Sequence, residues 1–164
     1  MVEHLVANER VASSNLVSRS SFGPGLRVGA SFHMRLYRPV GLRELELIAA
    51  SGWRAFPPRL ATQPIFYPVL ELEYARAIAR DWNTKDATSG YAGFVTSFDV
   101  DDSFAGRYPV QTVGAAIHRE LWVPAEDIES FNAAIVGGIA VLESYLGPDF
   151  AGNLPSEAPR PPGA

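Results

Sequence analysis

The chain has 164 residues, 47% of them hydrophobic and 20% charged, which suits one packed domain and leaves no room for two of ordinary size. Fourteen basic residues against eighteen acidic ones give a net charge of −4, excluding a broad basic surface for nucleic-acid phosphates. Cysteine is absent, so disulfides, zinc–thiolate sites, iron–sulfur clusters and a thiol nucleophile are all excluded.

The N-terminal stretch MVEHLVANER lacks the basic start and continuous apolar run of a signal peptide. Ser13 to Gly25 is rich in Ser and Gly, without periodicity. Residues 1–31 are therefore expected to be a disordered or non-native extension, with Met34 as a candidate native start. The single domain is expected over 32–146, followed by a disordered Pro-rich tail over 147–164. The longest nearly apolar run, Ala133 to Leu142, is about half of the roughly 20 residues that span a bilayer. A cytoplasmic protein without membrane contact is expected.

Within the domain, Met34 to Arg38 alternates and reads as a strand, broken by Pro39 and Gly41. Leu42, Leu45, Ile48 and Ala49 then lie at helical spacing, stopped by Gly52. Trp53 to Phe56 is at best a short strand before Pro57-Pro58, and Ile65 to Val69 is another, ended by Pro68. Ala75, Ile78, Ala79 and Trp82 form a helical stripe read as core. Tyr91 to Val100 alternates and is the best strand of the chain. Pro109 to Gly114 and Arg119 to Val123 read as two more strands, and Pro124 opens a short helix. Gly137-Gly138 reads as a turn, and Ile139 to Leu146 as a strand or helix that periodicity does not separate. Two or three helices and about six strands that do not strictly alternate predict an α+β fold.

Motifs for nucleotide loops, metalloprotease helices and nucleophile elbows are missing. His4, His33 and His118 are far apart in sequence, and Asp99, Asp101 and Asp102 are explained by a strand end turning into solvent, so no metal is expected. Three features remain. Arg38 ends a strand directly before a turn and helix, Phe66-Tyr67 lies on a strand leading into the next helix, and Glu120 lies in a late strand, HRELWVP.

That order resembles the ADP-ribosyltransferase superfamily, with an Arg or His on the first strand, an aromatic or Ser/Thr strand before a helix, and a Glu on a late strand. The stretch LYRPVGL is similar to small bacterial proteins often labelled ADP-ribosylation/crystallin J1, and the likeness covers about Met34 to Leu146. The resemblance implies a split, twisted β-sheet and transfer of ADP-ribose from NAD, used as a substrate, to a protein, nucleic-acid or small-molecule acceptor. It implies Arg38 as the cation on the NAD phosphate or ribose, Tyr67 or Phe66 as the ring stacked on nicotinamide, and Glu120 as the catalytic carboxylate. His118, two residues earlier where arginine-directed transferases carry Glu, becomes an acceptor-side candidate and leaves the acceptor open.

Each residue also has a plainer role. Arg38 pairs with Glu44 on the surface, Phe66 and Tyr67 pack in the core, Glu120 faces outward on an edge strand beside Arg119, and His118 is solvated. The corresponding whole-protein alternative is a non-catalytic binding module that keeps the fold. An ADP-ribosyl hydrolase fits less well, because those enzymes are larger, helical and dimetal.

Overall fold

Apolar–polar alternation carries His33–Val40 as the first strand, β1, on which Leu36, Arg38 and Val40 share the buried face. The computed structural model describes residues 31–155 and residue 159; of the expected N-terminal extension over 1–31, residues 1–30 lie outside them. Among the described residues the order continues with α1 (Leu42–Ala50), β2 (Ile65–Phe66) and α2 (Leu72–Ala77), whose last turn widens into a π turn over Ile78–Trp82. Then come β3 (Ala92–Asp101), α3 (Asp102–Ala105), β4 (Val110–Thr112), β5 (Arg119–Leu121), β6 (Val123–Pro124), α4 (Ile128–Ala133) and β7 (Ile135–Leu146). The fold is α+β, and every strand pairing is antiparallel.

β3 is the central strand, with β1 on one side and β7 on the other. Both of its faces are covered, so Phe94, Phe98 and Val100 enter the main core while Val95 packs with Val69, Ala75 and Ala79 under α2. Beyond β1 the sheet continues only through single-residue bridges, Tyr37 to Val69 and Val69 to Glu120, before reaching the β4–β5 hairpin. Val69 exchanges two backbone hydrogen bonds with Tyr37, at 2.9 and 2.8 Å, while Leu70 and Leu121 tie the same segment to β5. Pro68 lacks an N–H and cannot extend this ladder, so β2 is two residues long rather than running to Val69. β2 pairs with β6 instead.

The main core is built on phenylalanine. Phe56 stands 4.8 Å from both Phe66 and Phe98, and Phe66 stands 5.1 Å from Phe131, in tilted or edge-on contacts. Loss of one such fully buried ring costs about 3–5 kcal/mol.

Several expectations change. Trp53 to Phe56 is a turn, with Gly52 and Trp53 both at positive φ, and the Trp53 carbonyl accepts from Ile139 N–H at 2.8 Å. Gly137-Gly138 is not a turn. Gly137, at φ +82°, sits where the β3–β7 register shifts, so the strand passes through a bulge and Ile135–Leu146 is continuous. The stretch Arg119 to Val123 breaks at Trp122, where the chain leaves β4 and begins pairing with β2. Trp82, expected in the core stripe, is 74% exposed. The π turn closes i to i+5 and carries Trp82 off the face that Ala75 and Ala79 bury.

The packed chain also runs past Leu146. Gly147 N–H donates to the Tyr91 carbonyl at 2.8 Å, and Phe150 packs on the main core. Residues 147–150 are thus part of the domain rather than a solvated tail. Two of the three aspartates have structural work: Asp99 pairs with Arg35, and Asp101 caps α3 by accepting from Phe104 N–H at 3.1 Å.

Candidate functional site

Where β1, the Tyr67–Val69 segment, α2 and β5 meet, they border an open cavity of about 340 Å³ lined by Arg38, Pro39, Tyr67, Val69, Tyr74, Ile78 and Glu120. Three residues singled out in the sequence therefore face one space from three segments. The bridges through Val69 set Tyr37 and Glu120 on either side of a single residue, which brings β1 and β5 close together. Phe66 does not join them. It is fully buried in the core, and the adjacent residue Tyr67, 40% exposed, carries the aromatic face that reaches the cavity. Successive residues of an extended segment point to opposite sides, so only one of the pair could do so.

Arg38 occupies a core-facing position on β1 and is 8% exposed. Its Nε and Nη2 donate to the two Glu44 carboxylate oxygens at 2.8 and 3.1 Å, and Nη1 donates to the Tyr67 carbonyl at 3.2 Å. Its guanidinium carbon lies 4.6 Å from the centre of the Phe66 ring, which supports it from below. The expected Glu44 pair exists, but it is buried rather than on the surface. A fork so held is oriented before any ligand arrives, and two of its five N–H groups remain for one.

Glu120 is also 8% exposed and is not an outward carboxylate on an edge strand. Arg119, its neighbour, pairs instead with Glu71. Among the described residues no cation lies within ion-pair distance of Glu120. Two neutral donors hold it, with Trp122 Nε1 donating to Oε1 at 2.7 Å and Tyr74 Oη to Oε2 at 3.4 Å. Burial, followed by the Glu120 charge and hydrogen bond, pushes the Tyr74 phenol above its ordinary value and keeps it a donor. The result is a buried negative charge with no counter-ion in contact, which suits stabilisation of a positive charge on a ligand.

His118 stacks on Tyr74 with centroids 4.2 Å apart and rings inclined by 16°. Its Nδ1 lies 3.2 Å from the Val113 carbonyl. A carbonyl only accepts, so Nδ1–H is the donor in this contact. His118 therefore stands beside the cavity, behind Tyr74.

Tyr74 and Trp122 were not singled out as site residues by the sequence. Tyr74 lies four residues before Ile78 on α2, so the two share a helical face, and that spacing was the available signal. Trp122 shares period two with His118 and Glu120, yet a strand Trp reads first as packing. Among the described residues no group of three or more His, Asp or Glu side chains could hold a metal ion, and no helix is long and apolar enough to cross a membrane. No family model matches the chain, and no match is found among the curated proteins or among the solved structures.

Proposed function

We propose that the protein cleaves the nicotinamide–ribose bond of NAD and passes ADP-ribose to an acceptor. The observation that carries this reading is the meeting of Arg38, Tyr67 and Glu120 at one cavity, with Glu120 buried and free of a contacting cation. Tyr67 stacks on the nicotinamide ring. The two spare N–H groups of Arg38 hold an oxygen of the cofactor's phosphate or ribose. As the bond between the ribose anomeric carbon and the ring nitrogen breaks, nicotinamide leaves with the bonding pair and the sugar becomes oxocarbenium-like. Glu120 accepts a hydrogen bond from a ribose hydroxyl and stabilises that positive charge. The acceptor nucleophile then bonds to the anomeric carbon and releases its proton to solvent, with His118 as the residue on the acceptor side. The reading includes a cytoplasmic site of action, where NAD is supplied.

A specific observation favours a second reading, that of a non-catalytic binding module. The Arg38 guanidinium is already engaged by Glu44 and the Tyr67 carbonyl, which leaves a ligand fewer donors. Chromatography of released nicotinamide separates the two. The transferase reading expects release by wild type and a fall of about a hundredfold in Glu120→Gln, which keeps size and hydrogen bonding but removes charge. Binding of NAD with no release from wild type supports the module.

A further inference from the structure

On the far side of Glu44 from the first cavity lies a second one of about 490 Å³, between α1, the Pro57–Gln63 segment and the Asp86–Ser89 turns. Its wall includes Arg59, whose side chain is 7% exposed although it sits in a loop. Arg59 Nη1 lies 3.5 Å from Glu44 Oε1, the same oxygen that accepts from Arg38 Nε at 2.8 Å. Two buried guanidinium groups thus share one carboxylate, leaving the trio with a net charge of +1. The remaining contact of Arg59 is Nη2 donating to the Gln63 side-chain oxygen at 3.0 Å. Its Nε–H is buried and finds no acceptor among the described residues.

Among the described residues no second carboxylate lies within ion-pair distance of Arg38 or Arg59. A buried cation without a full counter-charge is costly, and so is an unmade charged hydrogen bond. Burial, and next to it the Arg38 charge, pushes the Arg59 guanidinium below its ordinary value, with Glu44 acting in the opposite direction. At the rim Arg43 is in an exposed pair with Glu46, and Asp86 is occupied in accepting from the Thr88 and Ser89 hydroxyls, so neither supplies a counter-charge in contact with Arg59. The uncompensated positive charge therefore belongs to the buried trio.

We propose that Arg59, with Arg43 at the rim, forms an anion site that takes the phosphate group of a phosphate-bearing small molecule, Arg38 contributing only its charge from the other side of Glu44. Planar guanidinium forks match phosphate oxygens, and a cavity of about 490 Å³ is larger than a lone phosphate needs, so the anion belongs to a larger ligand such as a diphosphate ester. The site does not depend on NAD being the substrate of the first cavity.

Isothermal titration of the full chain with inorganic diphosphate at low salt tests the assignment. Saturable binding by wild type is expected, at least about tenfold weaker in Arg59→Met and weakened by added salt. Glu44→Gln removes the competing carboxylate and is expected to bind diphosphate more tightly than wild type, a gain that unfolding could not imitate. Circular dichroism confirms that each variant is folded. No binding by wild type, equal binding by folded Arg59→Met, or no gain in folded Glu44→Gln overturns the assignment. Diphosphate binding that follows this pattern in a protein releasing no nicotinamide would uphold the anion site while overturning the transferase reading.

Discussion

Glu120 loses most of its hydration on folding and regains two hydrogen bonds, from the Trp122 indole and the Tyr74 hydroxyl. Those two donors are unequal, and the difference makes a prediction. A hydrogen bond to a charged group contributes about 1.5–3 kcal/mol, and the 2.7 Å contact from Trp122 is much the shorter. Trp122→Phe is therefore expected to lower kcat for nicotinamide release by about tenfold or more, and Tyr74→Phe by less, with little change in KM for NAD. Steady-state kinetics on both variants checks the order; equal losses confined to KM would assign them to substrate binding rather than to positioning of Glu120. At this scale the sequence was informative where a charged residue stood among apolar neighbours, as Arg38 and Glu120 do. It was silent on which neutral donors would surround them, because a strand Trp such as Trp122 reads first as packing and Tyr74 acquires that role only when α2 is brought against β5.

Among the elements, period predicted type well and exposure poorly. α2 begins as expected, but its π turn moves Trp82 into solvent while Ala79 stays buried against Gly93. A Cβ added at Gly93 would stand 2.0 Å from the Ala79 carbonyl oxygen, so the helix and β3 touch backbone to backbone. Trp82→Ala is thus expected to change stability by no more than about 0.5 kcal/mol, whereas Gly93→Ala costs about 1–3 kcal/mol; urea unfolding of both measures the contrast. The π turn and the Gly137 bulge share one cause of illegibility, since each inserts a residue without altering composition. A second element-scale prediction concerns the contact between the segment after α3 and the turn before α4. Tyr108 donates to Asp127 at 2.9 Å, and burial followed by that hydrogen bond pushes its phenol from 10.0 up to about 12. The unfolded chain releases this proton first, so the stabilising contribution is complete below pH 10 and is lost as pH rises from 10 to about 12. Thermal melting across that window is expected to show a smaller decline for Tyr108→Phe than for wild type.

For the whole molecule, the decisive feature is that, among the described residues, β1 and the β4–β5 hairpin are joined through the short Pro68–Leu70 segment, with Val69 bridging to both. That narrow join lets Arg38, Tyr67 and Glu120 face one cavity, while Glu44 and the Phe66 ring fix Arg38 between that cavity and the second one. The α+β class was legible from mixed periodicities. The pairing order was not, because antiparallel partners such as β3 and β7 are about forty residues apart and nothing local records their match. The central claim is that NAD occupies the cavity joining these segments. Hydrogen–deuterium exchange of Glu120→Gln, which is expected to bind NAD without consuming it, measures this most directly. Slower exchange on adding NAD is expected in segments 37–41, 67–78 and 118–122, with the β7 strand unchanged. Unchanged exchange in those three segments at saturating NAD, or protection confined to other parts of the chain, would contradict that claim.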